Sequence, residues 1–256
     1  MPLVPRVVLD SGAGRPGAEV MALAGSSDWR RRVIDRIGAG AVRAGGASIW
    51  PIADPPAWPT STWEELDAEL TAAMPGLRLM GAVLPRQVGR RRLSVLATMR
   101  CTTVVVKLGA GGTELRNELQ ALTLLQRQPL PGIATPEPIA SGSFEASGGR
   151  TDYLATTSIA IRRQRAALDE PLRTFEHDLA DRLGELAKAG STPPGAVPIH
   201  GDLTPWNLRR TPRGLALFDW EAAGWGPPGS DLATYRRACD DVRRPWSSSP
   251  RNAHSS

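Results

Sequence analysis

The chain has 256 residues, room for one or two domains at roughly 150 residues each. With 41% hydrophobic and 22% charged residues it has the usage of an ordinary folded protein, which excludes a fully disordered chain. The formal charge is +5, but 29 of the 31 basic residues are Arg, scattered in short clusters with no aromatic residues interleaved, which argues against a nucleic-acid partner.

No apolar run approaches the roughly 18 residues of a membrane span, so no membrane partner is expected. The N-terminus has no charged-then-apolar leader pattern. Two cysteines, Cys101 and Cys239, can make neither a disulfide framework nor a cysteine zinc site. The expected location is the cytoplasm.

Residues 1–76 read as a poorly defined N-terminal extension. They hold a possible helix over 29–42 and a Gly- and Pro-rich stretch. Ser61-Thr62-Trp63-Glu64 fits a capping box, and the helix it opens should stop at Pro75-Gly76. Short apolar, partly β-branched runs at 77–84, 93–99 and 103–108 predict a three-stranded antiparallel meander. A helix over 113–126 carries the stripe Leu115, Leu119, Leu122 and Leu125.

A strand pair is expected over 139–144 and 153–157. A helix then has Pro171 in its first turn, a stripe from Leu172 to Leu186, and Gly190 at its end. Two further runs flank the turn Thr211-Pro212-Arg213-Gly214. Residues 245–256 read as a disordered tail.

The chemistry-bearing segment is His200-Gly201-Asp202-Leu203-Thr204-Pro205-Trp206-Asn207, followed by Asp219-Trp220-Glu221. Phosphoryl transfer needs little covalent help; it needs positioning and charge neutralisation. One carboxylate must orient the acceptor hydroxyl and take its proton. Mg2+ needs hard oxygen ligands. Asp202 fits the first role, and Asn207 with Asp219 fits the second.

Lys107 ends a β-branched strand in a chain that uses Arg almost everywhere. Glu118 falls inside the apolar stripe of the next helix, where a carboxylate is costly unless paired. Glu118 is the favoured partner of Lys107, and Glu114 is the alternative. A Lys so held can grip the phosphates of a nucleotide.

A strand Lys, a helix Glu, an Asp-x4-Asn loop and a later Asp form a kinase-type arrangement. With His200-Gly201-Asp202, Asp219-Trp220-Glu221 and Gly226-Pro227-Pro228-Gly229-Ser230-Asp231-Leu232-Ala233, the chain resembles the aminoglycoside phosphotransferase and choline kinase-like family over about 77–235. The resemblance implies an α+β, two-lobed protein-kinase-like fold. Its N-lobe (77–157) would be a small antiparallel sheet with one helix. Its C-lobe (158–244) would be mainly helical and truncated at the C-terminus.

It further implies ATP or GTP between the lobes, with Mg2+, and Asp202 as catalytic base. Asn207 and Asp219 would hold the metal, and Lys107 with Glu118 would anchor phosphates. A hinge near 153–157 would offer backbone contacts to the base, at Tyr153, Leu154 and Ala155. His200, Glu221 and Asp231 would support the site.

The expected activity is therefore transfer of a γ-phosphoryl group to a hydroxyl of a small molecule. The alternatives are a kinase-like nucleotide-binding or regulatory protein with little transfer, and a metal-dependent hydrolase. The acids after His200 are outnumbered by arginines and mostly committed to site roles. That favours a neutral or anionic acceptor over a polycationic aminoglycoside.

Overall fold

A computed structural model describes residues 7–9, 59, 62–83, 92–100, 102–159, 165–168, 172, 174–184 and 193–243. The expected helix over 29–42, the turn before Arg92, the Leu186–Gly190 helix end and the 245–256 tail lie outside the described residues.

The N-lobe is a six-stranded antiparallel sheet in the order β1-β2-β3-β4-β7-β6. The strands are β1 (Val7–Leu9), β2 (Leu77–Val83), β3 (Arg92–Met99), β4 (Thr102–Gly109), β6 (Pro138–Ala146) and β7 (Gly149–Thr157). The expected meander forms its middle, with β3 and β4 paired from Arg92↔Gly109 to Met99↔Thr102. The expected strand pair also forms, longer than the apolar runs that marked it.

Alternation sorts the two faces of β4. Val104, Val106 and Leu108 are buried against one side, and Val105 and Lys107 look out from the other. The buried side meets helix α1 (Trp63–Ala73) through Leu66, Leu70 and Met74. The described parts of segment 1–76 are thus built into the N-lobe: β1 is an edge strand and α1 covers one sheet face.

The cap of α1 sits one residue later than expected. Thr62 is the N-cap, and its hydroxyl accepts from the Glu65 amide at 3.1 Å. The Glu65 carboxylate accepts from Ser147 N and Oγ, tying α1 to the β6–β7 turn.

Helix α2 (Thr113–Arg127) carries the expected stripe, but Ala121, Leu122 and Leu125 pack into the core of the second lobe. That core gathers α3 (Phe175–Leu183), α4 (Ser230–Arg243) and a four-stranded sheet in the order β5-β11-β10-β8. Those strands are Ile133–Ala134, Gly214–Leu217, Leu208–Thr211 and Arg165–Ala166. A second pair joins β9 (Val197–Ile199) to β12 (Gly224–Gly226).

Helix α3 starts at Phe175, so Pro171 lies before it and not in its first turn. Thr174 is the N-cap position, and the buried stripe is Phe175, Leu179 and Leu183. The described residues thus form an α+β fold of two lobes, as expected. Among them, no helix is long and apolar enough to cross a membrane.

Candidate active site

Lys107 reaches the lobe junction from the cleft face of β4. Its Nζ donates to Glu118 Oε1 at 2.9 Å and Oε2 at 2.7 Å, and to Asp219 Oδ1 at 2.7 Å. Glu221 Oε1 lies 3.3 Å away. Glu118 is 2% exposed, so its charge needs this partner.

Burial works against the ammonium, but Glu118, then Asp219 and Glu221, outweigh it and hold the Lys107 proton far above its ordinary range. Glu114, the alternative partner, pairs with Arg92 at the start of β3. Arg92 also bonds Glu221 and so bridges both lobes.

Asp219 follows β11 with φ +64°, a conformation that non-glycine residues adopt rarely and that concentrates at functional sites. Burial would raise its carboxyl pKa, yet Lys107 pulls it below the usual range.

The catalytic-loop candidate runs from His200 to Asn207. Asn207 Nδ2 donates to the Asp202 carbonyl at 2.9 Å and to its Oδ2 at 2.8 Å. Burial lifts the Asp202 carboxyl; the Asn207 bond opposes this, and Asp219 and Glu221 reinforce it. A raised carboxyl pKa suits a group that must accept a proton near neutral pH.

The loop is fixed from behind. Asp231, 2% exposed in the first turn of α4, accepts the amides of His200 at 2.6 Å and Gly201 at 3.0 Å. Gly201 has φ +83°, and a Cβ there would drive into the Ala222 carbonyl, so only glycine fits.

His200 is fully buried. Its Nδ1 accepts the Asp202 amide at 3.2 Å, which leaves the Nε2 proton to donate to the Phe218 carbonyl at 2.9 Å. Burial outweighs those contacts and drops its pKa to about 4, so the imidazole is neutral. Its ring meets Trp220 edge-on, with centroids 4.6 Å apart.

Between the lobes lies a cavity of about 350 Å³, within the range of small-molecule sites. Lys107, Glu118, Asn207, Asp219 and Glu221 line it, whereas Asp202 stands outside its wall.

The structure does not bring Tyr153, Leu154 and Ala155 there. They sit inside β7 with partners on both β4 and β6, and the cavity is lined by 156–159, of which Thr156 and Thr157 belong to the expected hinge. Trp206, Arg209 and Phe218 also line it, and Arg92 forms part of its mouth. None of these four was singled out from the sequence. Only the strand alternation after Asn207 marks Arg209 as outward-facing.

Ligating oxygens of Glu118, Asp219 and Glu221 lie within 4.8 Å of one another. The Lys107 amine hydrogen-bonds Glu118 and Asp219 and ion-pairs with Glu221, so their charge is met by a cation from the chain itself. The oxygens left for a metal are elsewhere. Asn207 commits its amide nitrogen to Asp202, which leaves its oxygen, and Asp219 gives Lys107 one carboxylate oxygen, leaving the other. One amide and one carboxylate oxygen beside a cavity suit Mg2+, a hard cation that keeps several waters.

The site thus sits between two lobes and combines a strand Lys paired with a helix Glu and a loop carboxylate backed by an amide. The chain is similar to the phosphotransferase enzyme family, whose model matches residues 140–254. That span holds the 200–207 loop and Asp219, while Lys107 and Glu118 lie outside it.

Among solved structures, an aminoglycoside-3'-phosphotransferase of type VIII is 18% identical, with 68% of this chain and 82% of that one covered and a TM-score of 0.46. A microcompartment-associated aminopropanol kinase is 13% identical, with 62% and 68% covered and a TM-score of 0.40. An amicoumacin kinase in complex with AMP-PNP and Ca2+ is 11% identical, with 65% and 66% covered and a TM-score of 0.42. A search of curated proteins gave no significant match.

Proposed function

We propose that the protein is a Mg2+-dependent phosphotransferase that moves the γ-phosphoryl group of ATP or GTP to a hydroxyl of a small molecule. The observation that carries this reading is the contact of Lys107 with both Glu118 and Asp219 at the end of the cavity that Asn207 also lines. Lys107 would leave part of its contact with Asp219 to meet phosphate oxygens, while Glu118 keeps it aimed. The family match over 140–254 and the phosphotransferase and kinase names among the similar structures support the same class.

Asn207 and Asp219 would hold Mg2+, which would neutralise charge on the phosphates. Asp202, bonded to the cavity-lining Asn207, would receive the acceptor hydroxyl. Its Oδ2 is steadied by Asn207, so the other oxygen takes the proton as the acceptor oxygen attacks. His200, Gly201 and Asp231 keep that carboxylate in place. The acceptor is a neutral or anionic hydroxyl compound, in line with the excess of arginine over uncommitted acid after His200.

The test is an acceptor screen with purified protein, Mg2+ and ATP or GTP, run beside Asp202→Asn. Acceptor-dependent phosphorylation should fall about 10³-fold in the variant, as expected for a lost general base. Equal turnover by the two proteins would contradict the assignment. Nucleotide binding without transfer to any acceptor would favour a kinase-like binding protein.

A further inference from the structure

Arg209 lies in the wall of the cavity, and among the described residues it has no counter-ion. Its Nε donates to the Trp206 carbonyl at 2.5 Å, and among the described residues its two terminal nitrogens have no hydrogen-bond or ion-pair partner. This sets it apart from Lys107 and Arg92, which are both saturated by carboxylates. A guanidinium carries five donors and stays charged under all ordinary conditions. Partial burial of such a group without an acceptor is costly and points to an acceptor supplied by a ligand.

The hairpin register shows which part of a ligand that is. The Phe218 amide donates to the Asn207 carbonyl, and the ladder continues with Leu208↔Leu217 and Arg209↔Ala216. Leu208 and Leu217 face the core of the second lobe, so Asn207, Phe218 and Arg209 share the cleft face. Arg209 therefore lies about 7 Å along the strand from Asn207, on the side away from Asp219.

On that side Ala216 pairs with Ala134, two residues before Pro136, and Thr157 bonds the Glu137 backbone. Arg209 thus shares the end of the cavity where the chain leaves β7 at 156–159. Phosphates held at Lys107 and Asp219 leave this end for the base.

We propose that Arg209 reads the nucleotide base and makes the site prefer GTP over ATP; this rests on the nucleotide-binding reading above. Guanine offers two adjacent acceptors, O6 and N7, which match the fork of a guanidinium. Adenine puts an amino donor in place of O6, facing the guanidinium with like polarity. A bidentate match of this kind discriminates between bases by roughly 5- to 150-fold.

The experiment is displacement of a fluorescent guanine nucleotide by GTP, ITP and ATP, each with Mg2+, from wild type, Arg209→Leu and Arg209→Lys. ITP keeps O6 and N7 but lacks the guanine amino group. Wild type should bind GTP and ITP at least tenfold more tightly than ATP. Arg209→Leu should weaken GTP and ITP about tenfold and leave ATP within about twofold. Arg209→Lys, which keeps the charge and loses the fork, should retain only part of the preference and serves if the Leu variant does not fold.

Equal affinity of wild type for ATP and GTP, or a uniform loss for all three nucleotides in Arg209→Leu, overturns the inference and leaves the phosphotransferase reading standing. Failure of every nucleotide to bind overturns both.

Discussion

Asp231 and Lys107 both tie together segments far apart in the chain, and they do it in different ways. Asp231 is buried and accepts two backbone amides of the loop that carries Asp202. Neither amide can leave without stranding a buried carboxylate, and no ligand competes for it. Lys107 instead stands among Glu118, Asp219 and Glu221 at the cavity wall, where its partners are side chains. The loop that would take the acceptor's proton is braced before any ligand arrives, whereas the phosphate end is held by charges that a nucleotide and metal can rearrange. The half that needs fixed geometry is held by backbone, and the half that must exchange partners is held by ions.

The sharpest way to break this comparison is to remove the cation. Lys107→Met strands Glu118, which is 2% exposed, and should cost about 3 kcal/mol of unfolding free energy in a urea titration. The double variant Lys107→Met with Glu118→Leu should recover most of that loss, because an apolar pair of similar bulk needs no counter-charge. Independent, additive losses would mean that the pair is not a unit.

A smaller effect tests the braced half by pH. The folded His200 pKa of about 4 lies below its unfolded value near 6.5. Below pH 6.5 the unfolded chain therefore binds a proton that the folded one refuses. This contribution is complete above about pH 6.5 and is lost as the pH falls toward 4. The loss between pH 7 and pH 5 should be about 2 kcal/mol, and His200→Gln should remove that part of the slope. An unchanged slope would show that His200 is not held neutral.

Much of this site was legible in the residues alone. Glu118 betrayed itself as a carboxylate on an apolar stripe, and its partner was the one Lys on the preceding strand. The spacing of Asp202, Asn207 and Asp219 followed from the chemistry they share. The three strands around Lys107 also showed, because β-branched runs between Arg clusters leave few other folds.

What did not show has physical causes. The Tyr153–Ala155 run is apolar because it is strand interior with both backbone edges paired, and the cavity lining begins only at Thr156. Strands of two or three residues, such as β5, β8, β9 and β12, are too short to carry a period. Arg92 and Arg209 were hidden among 29 arginines, where only the fold separates a lobe-bridging cation or a cavity-lining one from a solvated one. The cap at Thr62 rather than Ser61 turned on a choice between adjacent hydroxyls that the pattern did not make.

Thermal melting with nucleotide, in the presence and absence of Mg2+, reads whether Lys107, Asn207 and Asp219 together would hold a metal–triphosphate. A ligand that binds only the folded state raises the melting temperature. Wild type should be stabilised by nucleotide far more with Mg2+ than without it, and Asp219→Asn should lose that Mg2+-dependent increment. A melting temperature indifferent to Mg2+, or an increment undiminished in Asp219→Asn, would contradict the account.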